Sequence, residues 1–288
     1  NSVEWFIAFY GAHYDDVTVA TIFNGLGLSL VDIILQQVAA ETIIIDKVSI
    51  DVILSLAREN KVNSLKNVIL IGGKEKYKKE DLSALESFFK VFTLKDIIEA
   101  GKVNPVEIKE AEPNSIGLIC YTSGTVSNPK GALISHKSLV CNLEVSVSHN
   151  FPMDEKDCFY CLLPLSHIMG LFVSTALFYF GGCVALFSER QSKIIEDMQL
   201  VNPTIFCAVP KVVEAIYNGV LKQIESKGFL VRRLVKGVLN KKLKQFEEDN
   251  RVSYSFFEHL ILKKINNLYG NNLRLLLVGG ACLNAEVF

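Results

Sequence analysis

Short runs of apolar residues recur along this chain, and most of them end in glycine, proline or a small polar residue. The runs are continuous rather than alternating, which is typical of strands that are buried on both faces of a sheet. The runs predicted as strands are TIIID (42–46), NVILIGG (67–73), IGLICYTS (116–123), GCVALF (182–187), TIFCAVP (204–210) and LRLLLVGG (273–280).

Helical patterns separate these runs. In SLVDIILQQVAA (29–40) and SHKSLVCNLEVSVSHN (135–150), apolar residues recur three and four positions apart, as they do on one face of a helix. Ser135 stands where a helix N-cap is expected. The alternation of strands and helices predicts an α/β fold with layered, mostly parallel β-sheets that are flanked by helices.

One segment, IMGLFVSTALFYFGGCVALF (168–187), contains no charged residue. Its length meets the criterion for a membrane-spanning helix. The alternative is a buried helix, a break at Gly181-Gly182 and a buried strand. The double glycine and the small and aromatic residues favour this alternative.

Two segments are more polar. We expect KEKYKKE (74–80) to be a solvated surface element. Residues 219–249 interleave lysines and arginines with leucines, valines and a phenylalanine, which predicts a basic amphipathic helix or helix pair. Such a helix either contacts an anionic membrane surface or packs in the domain with a solvated basic face.

Composition narrows the function classes. Half of the 288 residues are hydrophobic and the formal net charge is −1, so there is no basic surplus for nucleic-acid binding. The seven cysteines form an odd, irregularly spaced set, which favours reduced, buried thiols over a disulfide framework. Cys158 and Cys161 have CxxC spacing, but CFYCLLPL has the pattern of a strand, which disfavours a redox or zinc site.

The segment YTSGTVSNPKGALISH (121–136) carries the strongest chemical signal. A loop rich in glycine and hydroxyl side chains between a strand and a helix can bind an anion through backbone N–H groups. Thr122, Ser123 and Thr125 add hydroxyl donors, and Lys130 adds a cation. The P-loop pattern fails, because Pro129 and Gly131 occupy positions that it reserves for glycine and for serine or threonine.

TSGTVSNPKG resembles the phosphate-binding signature T-S-G-T-T-G-x-P-K-G of adenylate-forming enzymes, with eight of ten positions matching. The resemblance covers essentially the whole chain. Similar family segments correspond to NSVEWFIAFYGAHY (1–14), LLPLSHIMG (162–170), PTIFCAVPKVVEAIYNGV (203–220) and LRLLLVGGACLN (273–284). The segments NPKGA (128–132) and VPK…IY (209–217) resemble the long-chain fatty acid–CoA ligases in particular.

This resemblance implies ATP-dependent activation of a long-chain fatty acid to an acyl-adenylate and then to acyl-CoA. The implied cofactors and co-substrates are ATP, Mg²⁺ and coenzyme A. The resemblance assigns catalytic roles to Thr125, Lys130 and His167. It assigns nucleotide binding to Thr122, Ser123, Gly124, Thr125, Val126, Lys130, Gly279, Gly280 and Ala281, and no metal ligand among residues 1–288.

Val126 and Ser127 replace a threonine and a glycine of the signature, and Cys282 replaces a proline. The loss of a hydroxyl donor to phosphate costs about 1–3 kcal/mol. One alternative to the ligase function is therefore a catalytically impaired or non-catalytic nucleotide- or lipid-binding relative. Another alternative is an adenylating ligase of other chain-length specificity.

The resemblance predicts that residues 1–288 are a partial AMP-binding (adenylation) domain of a longer protein. We expect the C-terminal lid domain and the motifs that hold Mg²⁺ and ribose to follow Phe288, so that this fragment alone is inactive. The family also implies an intracellular location, either cytoplasmic or on the cytosolic face of the endoplasmic reticulum or another membrane. Peripheral membrane contact would involve residues 219–249.

Overall fold

The computed structural model describes residues 1–23, 25–122, 129–148, 153–187, 193–226, 228–249, 253, 255 and 270–282. The chain forms two compact units. Unit 1 comprises Asn1–Val145 and Pro164–Ile168, and unit 2 comprises Ser146–Leu163 and Met169–Phe288.

Strands and helices alternate along the part of the chain that the structure describes, as the apolar pattern predicts. The first group is α1 (Val3–His13), β1 (Val19–Thr21), α2 (Leu28–Val38), β2 (Thr42–Ile45), α3 (Ile50–Arg58), β3 (Asn67–Leu70), a 3-10 turn (Lys74–Lys76), α4 (Lys79–Glu86), β4 (Lys90–Thr93), α5 (Leu94–Val103), β5 (Ile116–Thr122), β6 (Lys130–Ser135) and α6 (His136–Ser148). The second group is β7 (Cys158–Cys161), α7 (Ile168–Tyr179), β8 (Cys183–Leu186), α8 (Ile194–Val201), β9 (Ile205–Ala208), α9 (Pro210–Glu225), α10 (Phe229–Asp249) and β10 (Leu275–Val278).

Unit 1 contains a small all-parallel sheet with the strand order β2-β3-β4. Its core is apolar, and Leu56, Val68, Leu70 and Leu85 are fully buried in it. The polar segment 74–80 lies beside this sheet and is largely exposed, as predicted. Tyr77 is the exception, because its ring is buried and its hydroxyl donates to the Ile71 carbonyl at 2.7 Å.

The second sheet of unit 1 has the order β1-β5-β6. Strands β1 and β5 are parallel, whereas β5 and β6 are antiparallel. The sequence pattern led us to expect that the loop after β5 passes directly into a helix, and this is wrong, since KGALIS forms β6 first. The helix then begins as predicted, with Ser135 Oγ accepting from Ser138 N at 3.2 Å.

Unit 2 contains a parallel sheet with the order β10-β9-β7-β8. The uncharged segment 168–187 forms α7, a turn and β8, with Gly181 at a φ of +80°. The predicted buried helix, the glycine break and the strand are therefore confirmed, but the prediction that the strand is buried is wrong, because Cys183 is exposed and Val184 to Leu186 are half-buried. Among the helices in the described ranges, none combines the length and hydropathy needed to cross a membrane.

Residues 219–249 belong to the helix pair α9 and α10, as predicted. The first turn of α10 departs from a simple amphipathic pattern. Phe229, Leu230 and Val231 are 64%, 75% and 50% exposed. Consecutive helical residues point about 100° apart, so these three side chains cannot lie on one face.

The expectation of buried thiols holds for Cys120, Cys161 and Cys207. It is wrong for Cys141, Cys183 and Cys282, which are exposed. Strand β7 confirms the interpretation of the CxxC segment as a strand.

The amino ends of three strands of unit 2 meet at Asp157, which is 2% exposed. Its carboxylate accepts from Thr204 Oγ1 at 2.6 Å and from Arg274 Nε at 2.9 Å, and it also pairs with Arg274 Nη2. Burial by itself raises the pKa of Asp157, but the hydrogen bonds from Arg274 and Thr204 outweigh it and hold the pKa below its usual value. The carboxylate therefore stays ionised and ties β7, β9 and β10 together.

We expect Asp157→Ala to destabilise the protein by about 3 kcal/mol, because it leaves a charged partner without its buried counter-ion. The exposed pair Lys66–Glu41, whose side chains are 62% and 65% exposed, provides a matched control. Lys66→Met should cost about 0.5 kcal/mol or less. Urea denaturation of both variants measures the difference, and equal losses would contradict the assignment.

A cluster of titratable groups lies at the other end of the β5–β6 hairpin, in unit 1. The rings of His13 and His136 are 5.0 Å apart between centroids, and His136 Nε2 lies 3.3 Å from Asp16 Oδ1. Burial lowers the pKa of His13 below its ordinary value of 6.5, and the neighbouring His136 acts in the same direction. Its hydrogen bond to the Phe9 carbonyl (2.7 Å) and the charge of Asp16 oppose the shift without cancelling it.

A histidine whose pKa is lower in the folded state binds its proton more readily in the unfolded state. The stability that neutral His13 confers is therefore present above pH 6.5 and decreases as the pH falls below that value. When the pH falls from about 8 to about 5.5, we expect the His13→Gln variant to lose less stability than the unmodified protein. Thermal denaturation across this range measures it, and parallel losses in both proteins would exclude His13 as a source of the dependence.

Candidate active site

The signature loop begins and ends on paired strands. Thr122 is the last residue of β5 and Lys130 is the first of β6, and these two residues are partners in the antiparallel ladder. The loop between them is therefore closed by backbone hydrogen bonds at its base. The predicted site residues Ser123, Gly124, Thr125 and Val126, together with Ser127, lie outside the described residues.

Packing around the ladder fixes its position. Tyr121 is buried, and its hydroxyl donates to Gln37 Oε1 of α2 at 3.0 Å. Burial raises the pKa of Tyr121, so the phenol remains a donor. Position 131 requires glycine, because a Cβ there would lie only 2.7 Å from Ile119 Cγ2. Pro129 is buried, whereas Lys130 is exposed at the base of the loop.

A second segment of unit 1, Pro164–Ile168, crosses the carboxyl ends of β1 and β5. The Ser166 carbonyl accepts from Thr21 Oγ1 at 3.0 Å and from Cys120 Sγ at 3.8 Å. Leu165 is buried, and its N–H donates to Asn1 Oδ1 at 2.8 Å. These contacts fix the backbone on either side of His167.

His167 is exposed at the strand ends. Its backbone N–H closes a turn to the Pro164 carbonyl at 2.9 Å, and its ring packs edge-on against Phe23, with centroids 6.0 Å apart. Thr122, Lys130 and His167 are thus brought to the same edge of one sheet, although His167 is distant in sequence. The carboxyl edge of a parallel sheet is the usual ligand-binding edge of open α/β folds.

The predicted residues Gly279, Gly280 and Ala281 lie in unit 2, at the carboxyl end of β10. Gly279 N donates to the Ala208 carbonyl of β9 at 3.3 Å. Gly280 has a φ of +89°, a conformation that favours glycine. A Cβ at Gly279 would lie 2.8 Å from Met169 Cε, so this position also requires a residue without a side chain. The turn predicted after this strand is confirmed.

Sequence reasoning missed four residues that support the site: Thr21, Phe23, Gln37 and Ser166. Thr21 and Phe23 flank the end of a three-residue strand that is too short to give a clear apolar run. Ser166 acts through its backbone carbonyl, which has no sequence signature. The position of Ser166 next to His167 in PLSH was the one available signal.

A glycine- and hydroxyl-rich segment that follows the carboxyl end of a strand in an α/β sheet, with a lysine at its far end, is typical of nucleotide-binding α/β proteins. The AMP-binding enzyme family matches residues 1–288 of the chain. The chain therefore belongs to the AMP-binding enzyme family.

Relatives of known function are similar over the whole chain. Peroxisomal long chain acyl-CoA synthetase 6 of Arabidopsis thaliana is 27% identical over 100% of this chain and 40% of its own length. Fatty acyl-CoA synthetase B of Dictyostelium discoideum is 28% identical over 100% of this chain and 43% of its own length. The chain thus spans about two fifths of the length of these relatives.

Solved structures share the fold. The adenylation domain of a carboxylate reductase from Mycobacterium chelonae has a TM-score of 0.72 at 20% identity, over 94% of this chain and 40% of that one. The corresponding domain from Segniliparus rugosus, in complex with AMP and a co-purified carboxylic acid, has a TM-score of 0.71 at 18% identity, over 100% of this chain and 44% of that one. The predicted α/β fold of adenylate-forming enzymes is confirmed.

Proposed function

We propose that the protein is a long-chain fatty acid–CoA ligase that forms an acyl-adenylate from ATP. The observation that carries this proposal is that Lys130, at the closed base of the signature loop, and His167 both lie at the carboxyl end of the strand pair β1–β5. The relatives that are similar over the whole of this chain are named acyl-CoA synthetases, which supports the same reaction and substrate class.

In the first half-reaction, a carboxylate oxygen of the fatty acid attacks the α-phosphorus of ATP, and the bond to pyrophosphate breaks. Negative charge on the phosphates must be stabilised as that bond opens, which positioned cations and donors do. We assign Lys130 and the loop residues Thr122, Ser123, Gly124, Thr125 and Val126 to the phosphates. His167, held beside Phe23, orients the carboxylate at the α-phosphate.

In the second half-reaction, the sulfur of coenzyme A attacks the acyl carbon, the thiol loses its proton and AMP leaves. We assign the adenine of ATP and AMP to the turn Gly279–Ala281. The positive φ of Gly280 and the absence of side chains at positions 279 and 280 expose the backbone, against which a flat base can stack.

A magnesium ion bound to the ATP phosphates is part of the proposed reaction in this family. The described ranges contain no group of three His, Cys, Asp or Glu side chains that could hold a metal ion. Mg²⁺ in nucleotide sites is usually held by one or two carboxylates together with the substrate phosphates, and we assign none of the described residues to it.

The test is fatty acid-dependent ATP–pyrophosphate exchange by the full-length protein with a long-chain fatty acid, since we expect residues 1–288 alone to be inactive. Lys130→Met and His167→Ala should each reduce the exchange rate by about 100-fold, because each removes a charged or donating group from the reacting atoms. Lys137→Met, a change at an exposed lysine of α6, is the matched control and should change the rate by less than about two-fold. Exchange that depends on another class of carboxylic acid, or equal rates in all variants, would refute the proposal.

We also propose that the protein works inside the cell and contacts an anionic membrane surface through the start of α10. Leu230 and Leu234 are 75% and 60% exposed there, beside Arg232 and Arg233. Exposed apolar and basic side chains on a helix favour the headgroup region of a bilayer.

Replacing both Leu230 and Leu234 by glutamine should abolish flotation with phosphatidylserine vesicles, whereas Leu200→Gln, at an 85% exposed leucine of α8, should not. Flotation that is absent from the unmodified protein would exclude this contact.

A further inference from the structure

Two cysteines stand opposite each other on neighbouring strands of unit 2. Cys158 begins β7 and Cys183 begins β8, and they are register partners in the parallel ladder. Paired residues of adjacent strands point to the same face, and adjacent strands lie about 4.8 Å apart. That spacing falls inside the range of about 4.4–6.8 Å over which a disulfide joins two Cα atoms. The Cys183 thiol is near enough to contribute to the raised pKa of Cys158.

The backbone around both cysteines is firmly held. Cys158 N donates to Thr204 Oγ1 at 2.9 Å, and Cys183 N donates to the Asp157 carbonyl at 2.9 Å. Asp157 is itself bound to Arg274 and Thr204. The turn before Cys183 is tight, because a Cβ at Gly182 would lie 2.9 Å from the Asp157 carbonyl oxygen. The pair is therefore positioned by the fold rather than by chance proximity of mobile side chains.

The two thiols differ in accessibility. Cys183 is exposed, whereas Cys158 is half-buried. Burial, together with the neighbouring Cys183 thiol and the Asp157 charge, raises the pKa of Cys158 to about 12. Because the thiolate is the reactive form, Cys158 is the poorer first target for an oxidant.

We propose that Cys158 and Cys183 form a reversible intramolecular disulfide, with hydrogen peroxide or an organic hydroperoxide as the oxidant. Cys183 is the thiol that reacts first, and Cys158 resolves the product. The bond would tie β8, which lies at the edge of the sheet, covalently to β7.

The chemistry proceeds in two steps. The Cys183 thiolate attacks one oxygen of the peroxide and the O–O bond breaks, which gives a sulfenic acid and one molecule of water or alcohol. The Cys158 sulfur then attacks the Cys183 sulfur, the S–O bond breaks and water leaves, with the Cys158 proton completing that water. Both sulfurs are oxidised and the peroxide is reduced. A dithiol reductant reverses the bond by exchange.

The proposed pairing of Cys158 with Cys183 differs from the Cys158–Cys161 pairing that CxxC spacing would indicate. Cys158 and Cys161 have CxxC spacing, but Cys161 is fully buried at the far end of β7, where its thiol lies near Ser174. Three positions along a strand place two side chains on opposite faces. The strand pairing therefore joins Cys158 to a residue 25 positions away rather than to its neighbour in the motif.

The test is treatment of the whole protein with hydrogen peroxide, followed by mapping of peptides without reduction. We expect a linked peptide pair that contains Cys158 and Cys183, with the loss of two hydrogens, and its disappearance on addition of dithiothreitol. Cys158→Ser should leave a sulfenic acid on Cys183 that dimedone labels. Cys183→Ser should leave Cys158 unlabelled. Cys141→Ser, at another exposed cysteine, is the matched control and should not change the linked pair.

Each other outcome overturns the proposal. Oxidation of Cys183 to a sulfinic acid without a linked pair would show that Cys158 does not reach it. Equal dimedone labelling of Cys141 and Cys183 in the Cys158→Ser protein, with no linked pair in the unmodified protein, would indicate simple surface oxidation. A cross-link between two molecules would exclude the intramolecular bond. Thermal denaturation of both serine variants verifies that each one is folded.

Discussion

The antiparallel ladder between β5 and β6 is the constraint on which the candidate active site depends. Six paired positions, from Ile116–Ser135 to Thr122–Lys130, hold the two ends of the signature loop together. Backbone hydrogen bonds of this kind leave little freedom at the base of a loop, because both ends must remain in register. Gly131 and the buried Tyr121 let the strands approach and lock the ladder against α2. Lys130 is thereby presented at the sheet edge that also carries His167.

Unit 2 depends on a different device, a buried carboxylate. Parallel strands cannot be joined by short turns, so no turn holds their amino ends together and other interactions must do so. Asp157 supplies these interactions by binding Arg274 and Thr204, which precede β10 and β9, while its carbonyl accepts from Cys183 at the start of β8. One residue thus sets the relative positions of all four strands of the sheet. The facing thiols of Cys158 and Cys183 are a direct consequence of this arrangement.

The segments that we assign to the nucleotide, one in each unit, follow the same physical rule. Thr122 ends β5 in unit 1, and Gly279–Ala281 follow β10 in unit 2, so each segment lies at the carboxyl end of a parallel strand. Ligands usually bind at this end of the strands in open α/β folds. Val126 and Ser127 stand between Thr122 and Lys130 in the sequence, so the divergence from the family signature does not involve the residues of the ladder or its Gly131.

Most strands and helices follow from the residue pattern, since a parallel strand that is buried on both faces is apolar throughout and the apolar positions of a helix repeat every three to four residues. The signature TSGTVSNPKG, on which the family resemblance rests, is likewise visible in the sequence. The strand KGALIS follows from tertiary pairing instead, because a short exposed strand is defined by its partner and not by its own composition. The positions of Ser166 and Phe23 beside His167, and of Cys183 opposite Cys158, likewise follow from tertiary contacts and not from the local sequence. Register between distant segments is a property of pairing, and no local pattern records it.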